Sequence, residues 1–255
     1  MISTEERQIG AVSTLIVAPS GQEKAVLPTV FVYHGWTHRK ESELMVAHFL
    51  AKAGFRVVLP DAKYHGKRHG SQLFSELMFE FWDIVMQSVT EFGELVATLS
   101  AEGLVDPERI GVTGTSMGGI TTDAILTRYP NVKIGVDKIG APMPVALAKW
   151  QVSQLPTALQ TKYQDAIEDT LARLAAYDLS MHVDHLAGRP LHFYHGTADT
   201  MVPYQFTADF MTEIQAQPSS ATALVTLTTE ENGQHKVSDD AQLKTVGGTR
   251  ITLGE

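Results

Sequence analysis

Short apolar runs alternate with helical patterns along most of the chain. "TVFVY" (29–33), Arg56–Leu59, Arg109–Thr113, Val132–Asp137 and Leu191–Tyr194 are rich in β-branched or aromatic residues and mostly bordered by turn formers, so each predicts a strand. Val12–Ala18 predicts an earlier strand at an antiparallel edge, and Leu224–Thr228 a last core strand. Between them the apolar spacing lengthens to helical steps. Glu43–Ala53 predicts a helix stopped by Gly54, and Met117–Tyr129 another stopped by Pro130. The longest helical pattern runs from Gln72 to Ala101. There Leu73, Leu77, Phe81, Val85, Val89, Phe92, Val96 and Leu99 recur at steps of three or four, and Phe74, Met78, Trp82 and Met86 widen the same face. Strands alternating with helices point to an α/β fold, a mostly parallel central sheet flanked by helices.

Ala141–His185 breaks this rhythm. It opens with the proline-broken "APMPVALAKW" and continues through the helical "TKYQDAIEDTLARLAAYDL". Within an otherwise regular alternation it predicts a small helical cap, over residues 141–185, inserted over the carboxyl ends of the strands. No repeat or linker-like shift divides the chain, so 1–255 is expected to form a single domain with that cap inside it.

Composition removes several possibilities. Of 255 residues, 44% are hydrophobic and 19% charged, enough to bury a full core. A net charge of −9 repels nucleic acid and anionic membrane, both polyanions. The sequence contains no cysteine, which excludes disulfides, thiolate metal sites and a cysteine nucleophile, and fits a reducing cytoplasm. The N-terminal "MISTEERQIG" lacks the apolar stretch of a secretory signal, and no run approaches the ~18 apolar residues of a membrane span. The expectation is a soluble cytoplasmic protein.

Candidate chemistry starts at "RIGVTGTSMGGI" (109–120). Gly114-Thr115-Ser116-Met117-Gly118 matches Gly-x-Ser-x-Gly, between a predicted strand and a predicted helix. A strand turning that sharply projects Ser116 above the sheet, glycines at −2 and +2 remove β-carbons that would clash, and the helix start favours developing negative charge. The bland alternative is a tightly packed βα turn. A phosphate loop would need a Lys that does not follow.

Serine needs a base, and the base an orienter. Downstream, "HFYHGTADTMVP" places Asp199 after a strand, and "TEENGQHKVS" places His235 after the last one, in the order Ser, acid, His. His235 is the only histidine beyond Asp199. Individually Asp199 reads as a turn cap and His235 as a loop histidine; the ordered set is what points to a catalytic triad. "VFVYHGWTHRK" offers an oxyanion loop, with the Trp36 N–H as one donor and the Met117 N–H as the second. His34 is expected to bond local backbone. The pairs His34/His38, His65/His69 and His182/His185 have ligand-like spacing, but the first two lie in glycine-containing loops without a nearby acidic third ligand, and no metal or other cofactor is expected. "PDAKYHGKRHG" (60–70) is expected to hold the base of the site.

Together, His34-Gly35-Trp36, "PDAKYHG", "GTSMGG" (114–119), "HGTADTMVP" (195–203) and "GQH" (233–235) resemble the α/β-hydrolase superfamily. More narrowly they are similar to small bacterial carboxylesterases related to dienelactone hydrolase and to prolyl oligopeptidase-like catalytic domains, and "FWDIVMQSVTEF" (81–92) is similar to the helix that follows the "DAxxHG" loop in that subgroup. The resemblance covers residues 10–240. It implies a serine carboxylesterase acting on a small ester through an acyl-enzyme on Ser116. Two departures stand out: dienelactone hydrolases use a cysteine nucleophile, and the closing helix after the catalytic histidine is here replaced by at most two turns and a β-like tail at 247–255. The rival readings are a peptidase or amide hydrolase of the prolyl oligopeptidase-like type, and a non-catalytic hydrolase-fold binder. Trp36, Trp150 and Met201 suggest a modest apolar acyl pocket suited to short chains.

Overall fold

In the computed structural model, which describes residues 1–218, 222–238, 242 and 253, eight strands form one sheet in the order β1-β2-β4-β3-β5-β6-β7-β8. They are β1 (Ile2–Ile9), β2 (Val12–Pro19), β3 (Leu27–Tyr33), β4 (Arg56–Pro60), β5 (Val105–Thr115), β6 (Val132–Lys138), β7 (Leu191–Gly196) and β8 (Val225–Glu230). The β1–β2 and β2–β4 pairs are antiparallel; every pair from β4 across to β8 is parallel. This is an α/β-hydrolase fold. The predicted edge strand, Val12–Ala18, which forms most of β2, is not the edge. The charged "ISTEERQI" of β1 folds back on it, its alternating residues leaving polar side chains to solvent where the sheet ends. The predicted last core strand lies at the opposite edge and is largely exposed after Val225.

The helices are α1 (Leu44–Lys52), α2 (Phe74–Leu77), α3 (Phe81–Ala101), α4 (Met117–Arg128), α5 (Pro144–Ser153), α6 (Thr157–Lys162), α7 (Gln164–Leu174) and α8 (Gln205–Ile214). They cover both sheet faces, and β3 shows the reason for its continuous apolar run. Val30 and Val32 pack with Val46, Ala47 and Leu50 of α1, while Phe31 and Tyr33 pack with Phe92 and Leu95 of α3. A central strand alternates between two buried faces, so both sets must be apolar.

The single helix expected over Gln72–Ala101 is divided. A 3-10 turn at Met78–Glu80 separates α2 from α3. The distal half keeps the predicted stripe, with Val85, Val89, Phe92 and Leu99 buried. The proximal part leaves it: Phe74 packs edge-on against Trp36, 5.6 Å between centroids, while Leu73 and Met78 are exposed. A contact to a distant loop overrides the local period there.

Register places the loops of interest on one line. Tyr33 pairs with Gly114, Thr115 with Lys138, Lys138 with Tyr194, and Gly196 with Glu230. The segments after β3, β5, β7 and β8 therefore leave the same end of the sheet. The chain runs from β3 outward to β4, then crosses to β5 on the other side of β3. That reversal opens a crevice between the carboxyl ends of β3 and β5, where open α/β sheets bind ligands.

Among the described residues no helix is long and apolar enough to cross a membrane. The predicted tail at 247–255 lies outside the described residues, apart from Leu253, which is buried in the α1-side core.

Candidate active site

Ser116 directly follows β5 and caps α4 with φ 58° and ψ −115°, a conformation that non-glycine residues rarely adopt. Two backbone bonds hold it there: the Ser116 N–H donates to the Lys138 carbonyl at 2.8 Å, and the Ile120 N–H donates to the Ser116 carbonyl at 3.0 Å. The flanking glycines are required by packing. A β-carbon on Gly114 would strike the Gly118 carbonyl, and one on Gly118 would strike the Tyr33 carbonyl of β3. No flexible side chain stands at either position to yield, so β5, α4 and β3 can approach this closely only through glycine.

Asp199 follows β7 with its carboxylate wholly buried. Its Oδ1 accepts from the Met201 and Val202 N–H groups at 2.9 and 3.0 Å, and its Oδ2 accepts from His235 Nδ1 at 2.6 Å. Burial alone would push this carboxyl up. Hydrogen bonds from His195 and His235, the latter's charge and the backbone donors outweigh it and hold Asp199 well below the usual carboxylate range. The opposite face of the same imidazole completes the set: His235 Nε2 lies 2.8 Å from Ser116 Oγ. The Nδ1 proton given to Asp199 leaves Nε2 as acceptor for the serine hydroxyl. Residues 119 positions apart in sequence thus stand in one hydrogen-bonded row.

Two loop pairs support that row. On the histidine side, the Thr197 N–H donates to the Glu230 carbonyl (3.0 Å) and the Ala198 N–H to the Gly233 carbonyl (2.9 Å), while the Asn232 N–H donates to Thr197 Oγ1 (2.8 Å). The loops carrying Asp199 and His235 are thereby zipped together. Behind Asp199 lies buried His195, whose Nε2–H donates to the Val202 carbonyl (2.9 Å) and whose Nδ1 accepts from Thr207 Oγ1 (3.0 Å).

On the other side, Gly35 lies against the elbow; a β-carbon there would sit 3.7 Å from Ser116 Cβ. Trp36 follows Gly35 directly in this loop, and the Met117 N–H is the first of α4. The loop from His34 to Lys40 is stapled to the loop after β4. His34 donates from Nδ1 to the Gly35 carbonyl (2.8 Å) and accepts on Nε2 from the Ala62 N–H (3.1 Å). The expectation of a backbone-bonded His34 therefore agrees with the geometry. The Thr37 N–H reaches His65 Nε2 at 3.3 Å, and the Lys40 N–H and Nζ reach the two Asp61 oxygens at 2.9 and 2.6 Å. Lys40 and Asp61 are both buried. Burial pushes the His65 imidazole down to about 4, with the bond to the Lys63 carbonyl and the Asp61 charge opposing and His34 and His69 reinforcing.

The sequence takes the loop at 60–70, with Asp61 and His65 in it, as holding the base of the site, but assigns no individual role to His65, Asp61, Lys40 or His195. His65, Lys40 and Asp61 act through partners on another loop, and no local spacing announces such a contact; His195 bonds Val202 and Thr207 just downstream of its own strand.

Trp36 and Trp150 share one apolar cluster with Met117 and Val202, joined by the partly buried Phe81 and Phe206. The cluster therefore touches the residue after Ser116, the residue that donates to Asp199 and the loop beside both. Met201 does not join it; its side chain is exposed. A polar cleft of about 520 Å³, whose lining includes Lys63, Glu80, Asp83 and Arg173, contains none of Ser116, Asp199 or His235.

Comparison with known proteins gives this arrangement a context. The chain is 37% identical to YitV of Bacillus subtilis (strain 168), which bears an esterase name, over 96% of this chain and 97% of that one. It is 33% identical to the esterase YjfP of Escherichia coli (strain K12), over 94% and 95% respectively. Among solved structures, TT1662 from Thermus thermophilus superposes with a TM-score of 0.76 at 20% identity, covering 100% of this chain and 99% of that one. The family model described as the prolyl oligopeptidase family matches residues 42–246. A match of that extent, with two esterase-named relatives along nearly the whole length, makes the chain a hydrolase belonging to the prolyl oligopeptidase family.

Proposed function

We propose that the protein is a serine carboxylesterase acting on small, short-acyl esters. The observation that carries the reading is the row Ser116 Oγ–His235 Nε2 at 2.8 Å and His235 Nδ1–Asp199 Oδ2 at 2.6 Å. In this reading His235 takes the Ser116 proton as Oγ attacks the ester carbonyl. Asp199 fixes the tautomer and stabilises the imidazolium. The Trp36 and Met117 N–H groups hold the tetrahedral oxyanion; each such donor is worth about 10²–10³ in turnover. Collapse expels the alcohol, which takes its proton from His235, and water, deprotonated by the same imidazole, then releases the acid. Residues 141–185, carrying α5, α6 and α7, serve as the cap over the acyl pocket, with Trp150 of α5 and Trp36 on its walls.

The test is turnover of p-nitrophenyl esters by purified protein. Ser116→Ala is expected to abolish it, and full turnover by that variant sinks the assignment. Activity is expected to be highest on acetyl to butyryl esters; a steady rise to palmitoyl overturns the short-acyl preference. The family match itself favours a second reading, an amide or peptide hydrolase using the same triad. Prolyl or aminoacyl amides cleaved faster than matched esters would reverse the order of the two.

A further inference from the structure

We propose that His65 is a positioning residue for the oxyanion loop, an inference that rests on the serine esterase reading above. Thr37 immediately follows the proposed donor Trp36 and sits at φ 64°, the left-handed region that a β-branched residue enters only under constraint. Its N–H points to His65 Nε2 at 3.3 Å. His65 is itself fixed from behind, its Nδ1–H donating to the Lys63 carbonyl at 2.8 Å, which leaves Nε2 with the lone pair. The ring is wholly buried and packs edge-on against Trp36, with centroids 5.0 Å apart. One imidazole thus touches both residues of the turn: a hydrogen bond to the amide after Trp36, and a face of contact with the Trp36 side chain. Without the bond, the Thr37 N–H loses its imidazole acceptor and the strained turn loses the contact that offsets its cost. The Trp36–Thr37 segment then relaxes, and the Trp36 N–H moves relative to Ser116. A donor displaced by about an ångström matters in the transition state far more than in substrate binding.

The experiment compares His65→Phe, which keeps the ring contacts and removes the acceptor, with His65→Gln, whose Oε1 can stand near the Nε2 position. For p-nitrophenyl acetate, His65→Phe is expected to lower kcat about 10–100-fold with KM within about two-fold, and His65→Gln to recover most of that loss. The rate of Ser116 phosphonylation by a fluorophosphonate should fall in His65→Phe by a similar factor, because that reaction builds charge in the same place. A folded His65→Phe with wild-type kcat, or a His65→Gln as impaired as His65→Phe, overturns the inference. A His65→Phe that fails to fold leaves His65→Gln and His65→Asn to decide: Asn cannot reach the Nε2 position, so equal kcat for the two overturns it as well. Ser116→Ala measured in parallel keeps the failures apart. Turnover surviving there removes the serine reading, whereas turnover lost there and intact in His65→Phe removes only the role of His65.

Discussion

The two ends of the Ser116–His235–Asp199 row are built in opposite ways. The serine end is all core: Ser116 sits between the central strands, and every residue of α4 from Met117 to Thr127 is buried. Its geometry is enforced by backbone packed on backbone. The histidine end stands at the rim of the sheet, where β8 is mostly exposed beyond Val225, and the His235 side chain keeps 17% of its surface accessible. There hydrogen bonds between two loops replace packing. Packing fixes a side chain at one point, whereas a zipped pair of loops holds an imidazole in line while leaving it partly open to solvent. The serine end should therefore fail by unfolding and the histidine end by misalignment.

The largest effect is expected on the histidine side. Asp199→Asn preserves the shape but offers His235 Nδ1 a donor or a neutral acceptor, and turnover should fall by about 10⁴ with the fold intact. Circular dichroism and ester turnover on the same preparation check this; a loss under ten-fold would mean that Asp199 does not orient the base. Next is Gly118→Ala. Its β-carbon would meet the Tyr33 carbonyl, so overpacking of about 1–3 kcal/mol or more should lower Tm by roughly 5–10 °C as well as activity. A variant with unchanged Tm would break the contrast between the two ends.

Gly196→Ala sharpens it from the other side. The new β-carbon would meet the Gly233 carbonyl and press on the loop that ends at His235. Because that loop lies at the surface, it should give way: kcat is expected to fall about ten-fold with Tm changed by no more than roughly 2 °C. Differential scanning calorimetry beside steady-state kinetics reads both quantities.

The smallest effect concerns a buried carboxyl pair beneath the elbow. Asp137 of β6 accepts from the Gly140 N–H at 2.7 Å, and the three remaining oxygens of Asp123 and Asp137 have no other donor among the described residues. Burial and the adjacent Asp137 push the Asp123 carboxyl well above the usual range, so Asp123 holds a proton to offer its neighbour. Burial likewise raises Asp137 to about 6, against the opposing pull of Asp123, His195, the Gly140 N–H and Lys138. A carboxyl that binds its proton more tightly folded than unfolded loses stability as pH rises from about 4 through 6. Asp137→Asn should consequently raise Tm at pH 7 and give no gain near pH 4. A gain equal at both pH values would show that the pair is not titrating.

The sheet was legible because strand runs and helical stripes are local. Val30 to Tyr33 had to be apolar on both faces, and the glycines around Ser116 marked a turn that could be drawn no other way. Chain order then singled out Asp199 and His235, since the family pattern places acid and base at successive strand ends. The same local reading failed wherever a distant partner intervened. It carried one helix through Gln72–Ala101, although Phe74 turns aside to Trp36 and His65. It left "ISTEERQI" unassigned, because a polar strand is stabilised only by the partner β2.

By itself, the sequence determined what each segment prefers: which residues alternate, where the chain must turn, and which three side chains have suitable chemistry in a suitable order. Only the tertiary structure decided their distances. Hydrogen bonds from Thr37 to His65, from Lys40 to Asp61 and between the Asp199 and His235 loops join segments whose separation along the chain carries no periodic signal. Register in the parallel sheet brings those loops to one end, and a one-residue slip, invisible to composition, would turn each of them away.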